Sequence, residues 1–311
     1  MKIFTGDDVT VVIPTYYRHD IIGGVLTDLA SQSIAPYEVI VVDQTPSGDF
    51  PTDFYDQFST LPLNVVKLDI PSLSQSKNHG ASICKTDLIL FLDDDTILGS
   101  NLIESHLEVI NDERVDVVSG AVSDCDQLRD DFSHDMQSFD PLSFFLKCPN
   151  KKWNGMVLVQ SGPNACLKKE IFLAVGGYDE NMPRMEDVEL GLRMFQYGAK
   201  MYYSTKPFVQ FLRHPTGGTR ETQINLEYVK LFSKVYLYKK HFPGWTTKQY
   251  FLKEFINCLL FKESVSGHFS INGLLKPWVP LVRLVNLFKV NMSANRCLGK
   301  VNQKEFKKNI N

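Results

Sequence analysis

The sequence predicts an α/β fold, a mostly parallel sheet flanked by helices, followed by a basic and mainly helical extension. Three observations predict it. Short, continuously apolar runs such as residues 38–43 (EVIVVD) and 88–92 (LILFL) alternate with segments whose apolar residues recur at helical spacing. Strands apolar on both faces must be covered on both faces, as in a parallel sheet between helices. Polar residues stand where those runs end, and charge is divided unevenly along the chain.

The elements follow in order. Residues 9–14 (VTVVIP) read as the first strand. Residues 20–33 place Ile21, Ile22, Val25, Leu26 and Leu29 on one face of a helix. Residues 38–43 and 63–68 are the second and third strands, and 72–84 a helix capped by Ser72. The fourth strand is 88–92. Residues 123–155, rich in Asp, Ser and Pro, read as a long loop or lid. Order resumes over 155–167, followed by helices over 168–175 and 186–197, the latter with Val188, Leu192 and Phe195 on one face. The α/β domain is expected over residues 1–224 and the extension over 225–311. Within the extension, 225–262 is helical in pattern and 274–290 is a cationic amphipathic stretch. The last twenty residues read as poorly ordered.

Hydrophobic residues at 43% and charged residues at 22% suit a globular protein with a core. Residues 225–311 carry 15 Lys+Arg against 4 Asp+Glu, so they are +11; the remaining 18 basic and 32 acidic residues make the rest −14. Such a tail suits an anionic partner. A membrane surface fits better than nucleic acid, for which no recognition motif appears. A helix pair packed on the main domain, or a homo-oligomer interface, is the alternative. The six cysteines show no CxxC pair, consistent with reduced thiols in the cytoplasm. The first apolar segment is too short for a signal peptide, and no apolar run reaches the length of a membrane span. The expected location is cytoplasmic, at the membrane's cytoplasmic face if the tail binds lipid.

The stretch LILFLDDDTIL (88–98) sets the chemical question, because Asp93, Asp94 and Asp95 follow a buried strand directly. Adjacent carboxylates repel and are costly to desolvate, so something must compensate them. Alternation along an extended chain would point Asp93 and Asp95 the same way and Asp94 the other. Two hard oxygen ligands at that spacing suit Mg²⁺ or Mn²⁺; a solvated acidic turn is the plainer reading. Glu186 and Asp187 open a helix, whose dipole favours ionised carboxylates; an ordinary acidic helix start is the alternative there. LFLDDDTIL also resembles the first motif of haloacid-dehalogenase-type phosphatases, with Asp93 as nucleophile. Thr96-Ile97 stands in place of the usual Gly-Thr, and no late acidic pair appears.

Five ordered segments carry a stronger resemblance: VVIPTYYR (11–18), EVIVVDQTPSGD (38–49), SQSKNHGASICKTDLILFLDDD (74–95), SGPNACLKKEIFLAVGGYDE (161–180) and MEDVELGLRMFQYGAK (185–200). Together they resemble the family 2 glycosyltransferases, which implies the GT-A fold, a single Rossmann-like sheet. The resemblance runs over residues 9 to about 220. It implies a nucleoside-diphosphate sugar donor, a saccharide or lipid-linked saccharide acceptor, and inversion at the anomeric carbon. Pro14, Thr15, Tyr16 and Arg18 would then line the nucleotide pocket, with Asp43 bonding the base. Lys77, where the family often has Arg, would lie near the diphosphate with Asn78 beside it. Asp93 and Asp95 would form the DxD pair, Asp95 as the more direct metal ligand and Asp94 near the ribose or sugar. Glu186 and Asp187 would face the acceptor, with Asp187 the general base.

The same resemblance, in FLRHPTGGTR (211–220), implies His214 on the metal or diphosphate, with Arg213 and Arg220 near phosphate; such segments are similar to rhamnosyltransferase-type members. Asn164 and Trp153 would lie on the acceptor side, Trp153 stacking on a sugar or packing in the core. Gln44, Thr45-Pro46-Ser47 and Pro163 depart from the family pattern. A processive polysaccharide synthase is disfavoured by the lack of QxxRW and of membrane spans. A sugar-nucleotide-binding protein without catalysis stays open beside the phosphatase reading.

Overall fold

Strand β1 (Val9–Thr15) is buried at every position, as are β2 (Glu38–Asp43) and β4 (Leu88–Leu92). Their side chains alternate between two apolar layers. Val11, Ile13 and Leu90 face one, with Ile22 and Leu26 of α1 (His19–Ala30) and Ile103 and Leu107 of α3 (Leu102–Asp112). Val12, Ile40 and Phe91 face the other, with Phe172 of α4 (Lys169–Ala174) and Leu190 and Met194 of α5 (Glu186–Tyr197). Each such buried side chain contributes roughly 1.5–3 kcal/mol of transfer free energy, so the sheet is held from both sides.

The computed structural model describes residues 2–50, 53–69, 71–123, 154–157, 160, 162–212, 226–244, 247–252 and 285–298. Among these the remaining elements are β3 (Leu63–Lys67), α2 (Leu73–Ile83), β5 (Thr96–Leu98), β6 (Val117–Ser123), β7 (Gly155–Met156), β8 (Asn164–Lys168), β9 (Met201–Phe211) and α6 (Leu226–His241). The sheet order is β3-β2-β1-β4-β8-β6-β9-β5, with β7 on β9. The β3-β2-β1-β4 half is parallel. The other half is mixed, because β8 runs antiparallel to both β4 and β6 while β6 and β9 are parallel. The expected parallel sheet is thus present in the β3-β2-β1-β4 half, and the antiparallel pairings make the sheet as a whole mixed.

Helix α2 begins where the sequence places it, with the Ser72 hydroxyl accepting the Gln75 amide at 3.3 Å. It closes tightly on β1. A Cβ on Gly80 would lie 2.4 Å from Val12 Cγ1. Lys77, one helical turn earlier on the same face, is thereby pressed against the carboxyl edge of the sheet.

The chain divides into two compact units. The first comprises residues 1–139, 146–180 and 186–221, and holds the sheet. The second comprises 140–145, 181–185 and 222–311. In it, the rings of Tyr238 and Tyr250 stack at 4.2 Å, and Leu287, Val290 and Ala294 are buried. Residues 285–298 are helical, so 292–298 of the end expected to be poorly ordered are ordered, and the rest of that end lies outside the described residues. The loop or lid expected over 123–155 lies almost wholly outside the described residues. Cys84 and Cys166 are free thiols in the interior. No helix among the described residues is long and apolar enough to cross a membrane.

Candidate active site

Strands β1, β2 and β4 are parallel, so Thr15, Asp43 and Asp93 leave the sheet at one edge. The chain does not stay extended beyond β4. It turns at Asp94 and Asp95, and the Thr96 hydroxyl closes the turn on the Asp93 carbonyl at 2.9 Å. Alternation therefore fails. Asp94 Oδ1 and Asp95 Oδ2 converge on one nitrogen, Arg18 Nη1, at 2.8 and 3.0 Å. Thr15 Oγ1 donates to Asp94 Oδ2 at 2.8 Å. Asp93 turns instead to Lys77, whose Nζ donates to its Oδ1 at 3.2 Å and to the Gly162 carbonyl at 3.0 Å. The chain's own cations thus compensate the acidic tip. Burial still raises the Asp94 carboxyl above its ordinary range, against the pull of Arg18.

Lys77 also joins this tip to a second pair of carboxylates. It is almost fully buried; that burial opposes its charge, but Asp93, Tyr178 and Glu186 outweigh it and raise its pKa. Glu186 and Asp187 form the first turn of α5, partly open to the cleft yet densely surrounded by protein. Burial, and then the Asp187 charge, push Glu186 up to about 7, with Lys77 acting the other way. Asp187 is raised by burial as well, and its Oδ1 accepts the Val188 amide at 2.8 Å. Both carboxyls feel Asp93 and Lys77, so the two acidic groups share one cleft. Residue 162 is glycine for a local reason: a Cβ there would lie 3.1 Å from Asp187 Oδ2.

The net charge of this cleft, rather than an assembled ligand set, is what suits a divalent cation. Five carboxylates (Asp93, Asp94, Asp95, Glu186, Asp187) face two cations (Arg18, Lys77), which leaves three formal negative charges when all are ionised. Asp93 is the most open of the three tip residues, its side chain 26% exposed against 7% and 4% for Asp94 and Asp95. Hard carboxylate oxygens suit Mg²⁺ or Mn²⁺. No cage of three His, Cys, Asp or Glu side chains is assembled among the described residues. His214, expected as a further ligand, lies outside them, as do Arg213, Arg220 and Trp153.

Several other expected site residues sit differently. Pro14 and Thr15 are buried at the end of β1, and Tyr16 is half-buried with its ring 4.8 Å from that of Tyr17. Asp43, expected on the base, is fully buried. Its Oδ2 accepts the Tyr55 hydroxyl at 2.7 Å and meets His19 Nε2 at 2.6 Å, while Oδ1 accepts the Thr45 amide at 2.8 Å. It holds its own loop rather than presenting a carboxylate. Gln44 accepts the Ser72 amide and so ties the end of β2 to the start of α2. The Asn78 amide clamps the turn after α4, donating to the Tyr178 carbonyl and to Glu180 and accepting the Tyr178 amide at 2.8 Å.

Asn164 requires the clearest correction. It is fully buried, not on an acceptor surface. The β6–β9 register shifts after Gly120, and residues 205–207 have no partner in that ladder. Asn164 Nδ2 donates to the Ala121 and Pro207 carbonyls at 3.1 and 2.9 Å, bridging the two strands at that irregularity. Its Oδ1 meets His106 Nε2 at 2.7 Å, and burial lowers His106 to about 4, so the neutral ring donates.

Residues 10–176 match the sequence pattern of Glycosyl transferase family 2, over half of the chain. The chain belongs to that family. A relative in Haemophilus influenzae, described as an uncharacterized glycosyltransferase, is 26% identical over 190 residues, which cover 60% of this chain and 62% of the relative. The O-antigen chain rhamnosyltransferase RfbN of Salmonella typhimurium is 25% identical over 217 residues, 65% of each chain. This family 2 chain thus spans just under two thirds of the length of the curated relatives it matches. Among solved structures, S. aureus TarS 1-349 aligns with a TM-score of 0.56 at 15% identity, covering 92% of this chain and 80% of that one. A longer TarS structure aligns with a TM-score of 0.51 over 92% of this chain and 55% of the other. These likenesses establish the GT-A fold for this family 2 member. Family membership sets aside the phosphatase reading of the acidic tip.

Proposed function

We propose that this family 2 member is an inverting, metal-dependent glycosyltransferase. It moves a hexose or deoxyhexose from a nucleoside-diphosphate sugar to a saccharide acceptor, lipid-linked or part of a growing polysaccharide. Residues 1–224 carry the reaction in this reading, and 225–311 form an extension. The observation that carries it is the link through Lys77 between the acidic strand tip and the Glu186–Asp187 pair. Two substrates that must meet at one carbon need a donor end and an acceptor end in one cleft. The deoxyhexose is favoured by similarity to a protein described as an O-antigen chain rhamnosyltransferase.

The reaction is one in-line displacement. The acceptor oxygen bonds to the anomeric carbon from one face as the bond to the diphosphate oxygen breaks on the other, and Asp187 takes the acceptor's proton. Its raised pKa makes it a stronger base than an exposed Asp, and the Lys77 charge keeps it ionised. Glu186, at about 7, carries much of the pair's proton near neutrality and can donate a hydrogen bond to an acceptor hydroxyl. Lys77 and Arg18 keep positive charge beside the tip as the nucleoside diphosphate departs. A divalent cation at the tip would supply Lewis-acid neutralisation of that leaving group, with Asp93, the most open of the three carboxylates, as the residue to hold it; Asp95 would have to leave Arg18 to join it. Holding both substrates in place lowers the barrier further.

The test is a panel of nucleotide sugars, each assayed for nucleoside-diphosphate release with and without saccharide acceptors and with Mg²⁺, Mn²⁺ or chelator. Acceptor-stimulated, metal-dependent release from one donor supports the reading. Tight donor binding with no turnover under any pairing would make the chain a sugar-nucleotide-binding protein instead.

A further inference from the structure

We infer that one face of the helix over residues 285–298 docks on an anionic lipid surface. Among the described residues the helix has two apolar stripes, one buried and one exposed. Leu287, Val290 and Ala294 recur at intervals of three and four and are buried. Val285, Phe288 and Met292 recur at the same intervals on the opposite side and are 44%, 58% and 55% exposed. Lys289 and Arg296 continue that outer stripe and are exposed as well. No Asp or Glu occurs anywhere in the fourteen residues of this helix.

A contiguous exposed apolar stripe rimmed by polar groups is the kind of surface that marks an interaction site. The chemistry around it selects the occupant. Two cations beside three apolar side chains match the boundary between anionic headgroups and acyl chains, where the apolar groups sink in and the long cationic stems reach phosphate. The wider segment agrees, with 15 basic residues against 4 acidic over 225–311. The same charge opposes pairing with a second copy, which would set Lys289 and Arg296 near their own kind. The contact is shallow and reversible, since the fourteen described residues, with Asn, Lys, Ser and Arg among them, do not make a bilayer-spanning segment.

Flotation of the full chain with vesicles tests this, using phosphatidylcholine alone and phosphatidylcholine containing phosphatidylglycerol. The expected result is co-flotation with the anionic vesicles only, weakening as salt is raised. Phe288→Ser with Met292→Ser should lower partitioning about tenfold with unchanged circular dichroism and melting. Lys289→Gln with Arg296→Gln should lower it and flatten the salt dependence. Both variants keep full turnover on a soluble acceptor, so loss of docking and failure of the glycosyltransferase reading are separate results. Equal flotation with both vesicle types, or with neither, overturns the proposal. So does wild-type self-association in sedimentation that the Phe288 and Met292 changes abolish, which would assign the stripe to a second copy.

Discussion

The Lys77 ammonium donates to Asp93 Oδ1 at 3.2 Å, and the same charge holds down the carboxyl of Glu186 on another helix. One buried side chain therefore couples the end of β4 to the start of α5. Lys77→Met removes the cation and keeps the length of the side chain. The expected outcome is a loss of kcat of about a hundredfold or more. The acidic limb of the pH–rate profile should also move to higher pH, because the Glu186–Asp187 pair then binds its proton more tightly. Unchanged kcat and an unmoved limb would separate Lys77 from the chemistry.

The raised Glu186 carboxyl has a stability consequence of definite sign. Its folded pKa of about 7 exceeds the ordinary value of 4.5, so the folded state holds a proton that the unfolded state releases. Stability contributed by this group is full below about pH 4.5 and is lost as pH rises through about 7. Glu186→Gln removes the titration. The variant should melt above the wild type at about pH 8, with the difference shrinking toward about pH 5. Calorimetry at the two pH values measures it, and a gap that widens on acidification would reverse the sign.

Arg18 bonds both Asp94 and Asp95, and all three side chains are buried. Arg18→Gln leaves two buried carboxylates without that charge, a change that costs about 3–5 kcal/mol. Mg²⁺ or Mn²⁺ should recover part of the loss, so melting of the variant should respond to metal more than that of the wild type. A variant as stable as the wild type in chelator would show that the pair is not holding the tip together.

Asn164→Ala should cost stability and spare chemistry. It strips hydrogen bonds from the Ala121 and Pro207 carbonyls and from His106 Nε2, each a buried group worth about 1–3 kcal/mol when left unpaired. Urea unfolding should show the loss, while KM for acceptor per folded molecule should stay within about twofold. A large rise in KM with intact stability would return Asn164 to the acceptor side.

What could be read from the chain without its fold was what is local. The helix opening at Glu186, the cap at Ser72 and the strand ending at Leu92 are all local patterns, and all appear at those positions. The long strand β9 was not legible, because Lys206-Pro207 interrupts its alternation and its partner β6 lies some eighty residues away. Asn164 looked like a site residue for the same reason: the carbonyls it serves belong to an irregularity between distant strands. Asp43 stood at the right edge of the sheet, but Tyr55 and His19, which occupy its carboxylate, have no spacing that announces them. The three adjacent Asp residues raised the right question. Their compensation by Arg18 and Lys77 depended on contacts 76 and 16 residues apart in sequence.

The most direct test is the rate of nucleoside-diphosphate release from the cognate sugar nucleotide in the presence of acceptor, compared between wild type and Asp187→Asn. Loss of the acceptor-stimulated rate by about a hundredfold or more, with donor binding and melting unchanged, is the expected result. An equal rate in the two proteins would contradict the assignment of Asp187 as the base.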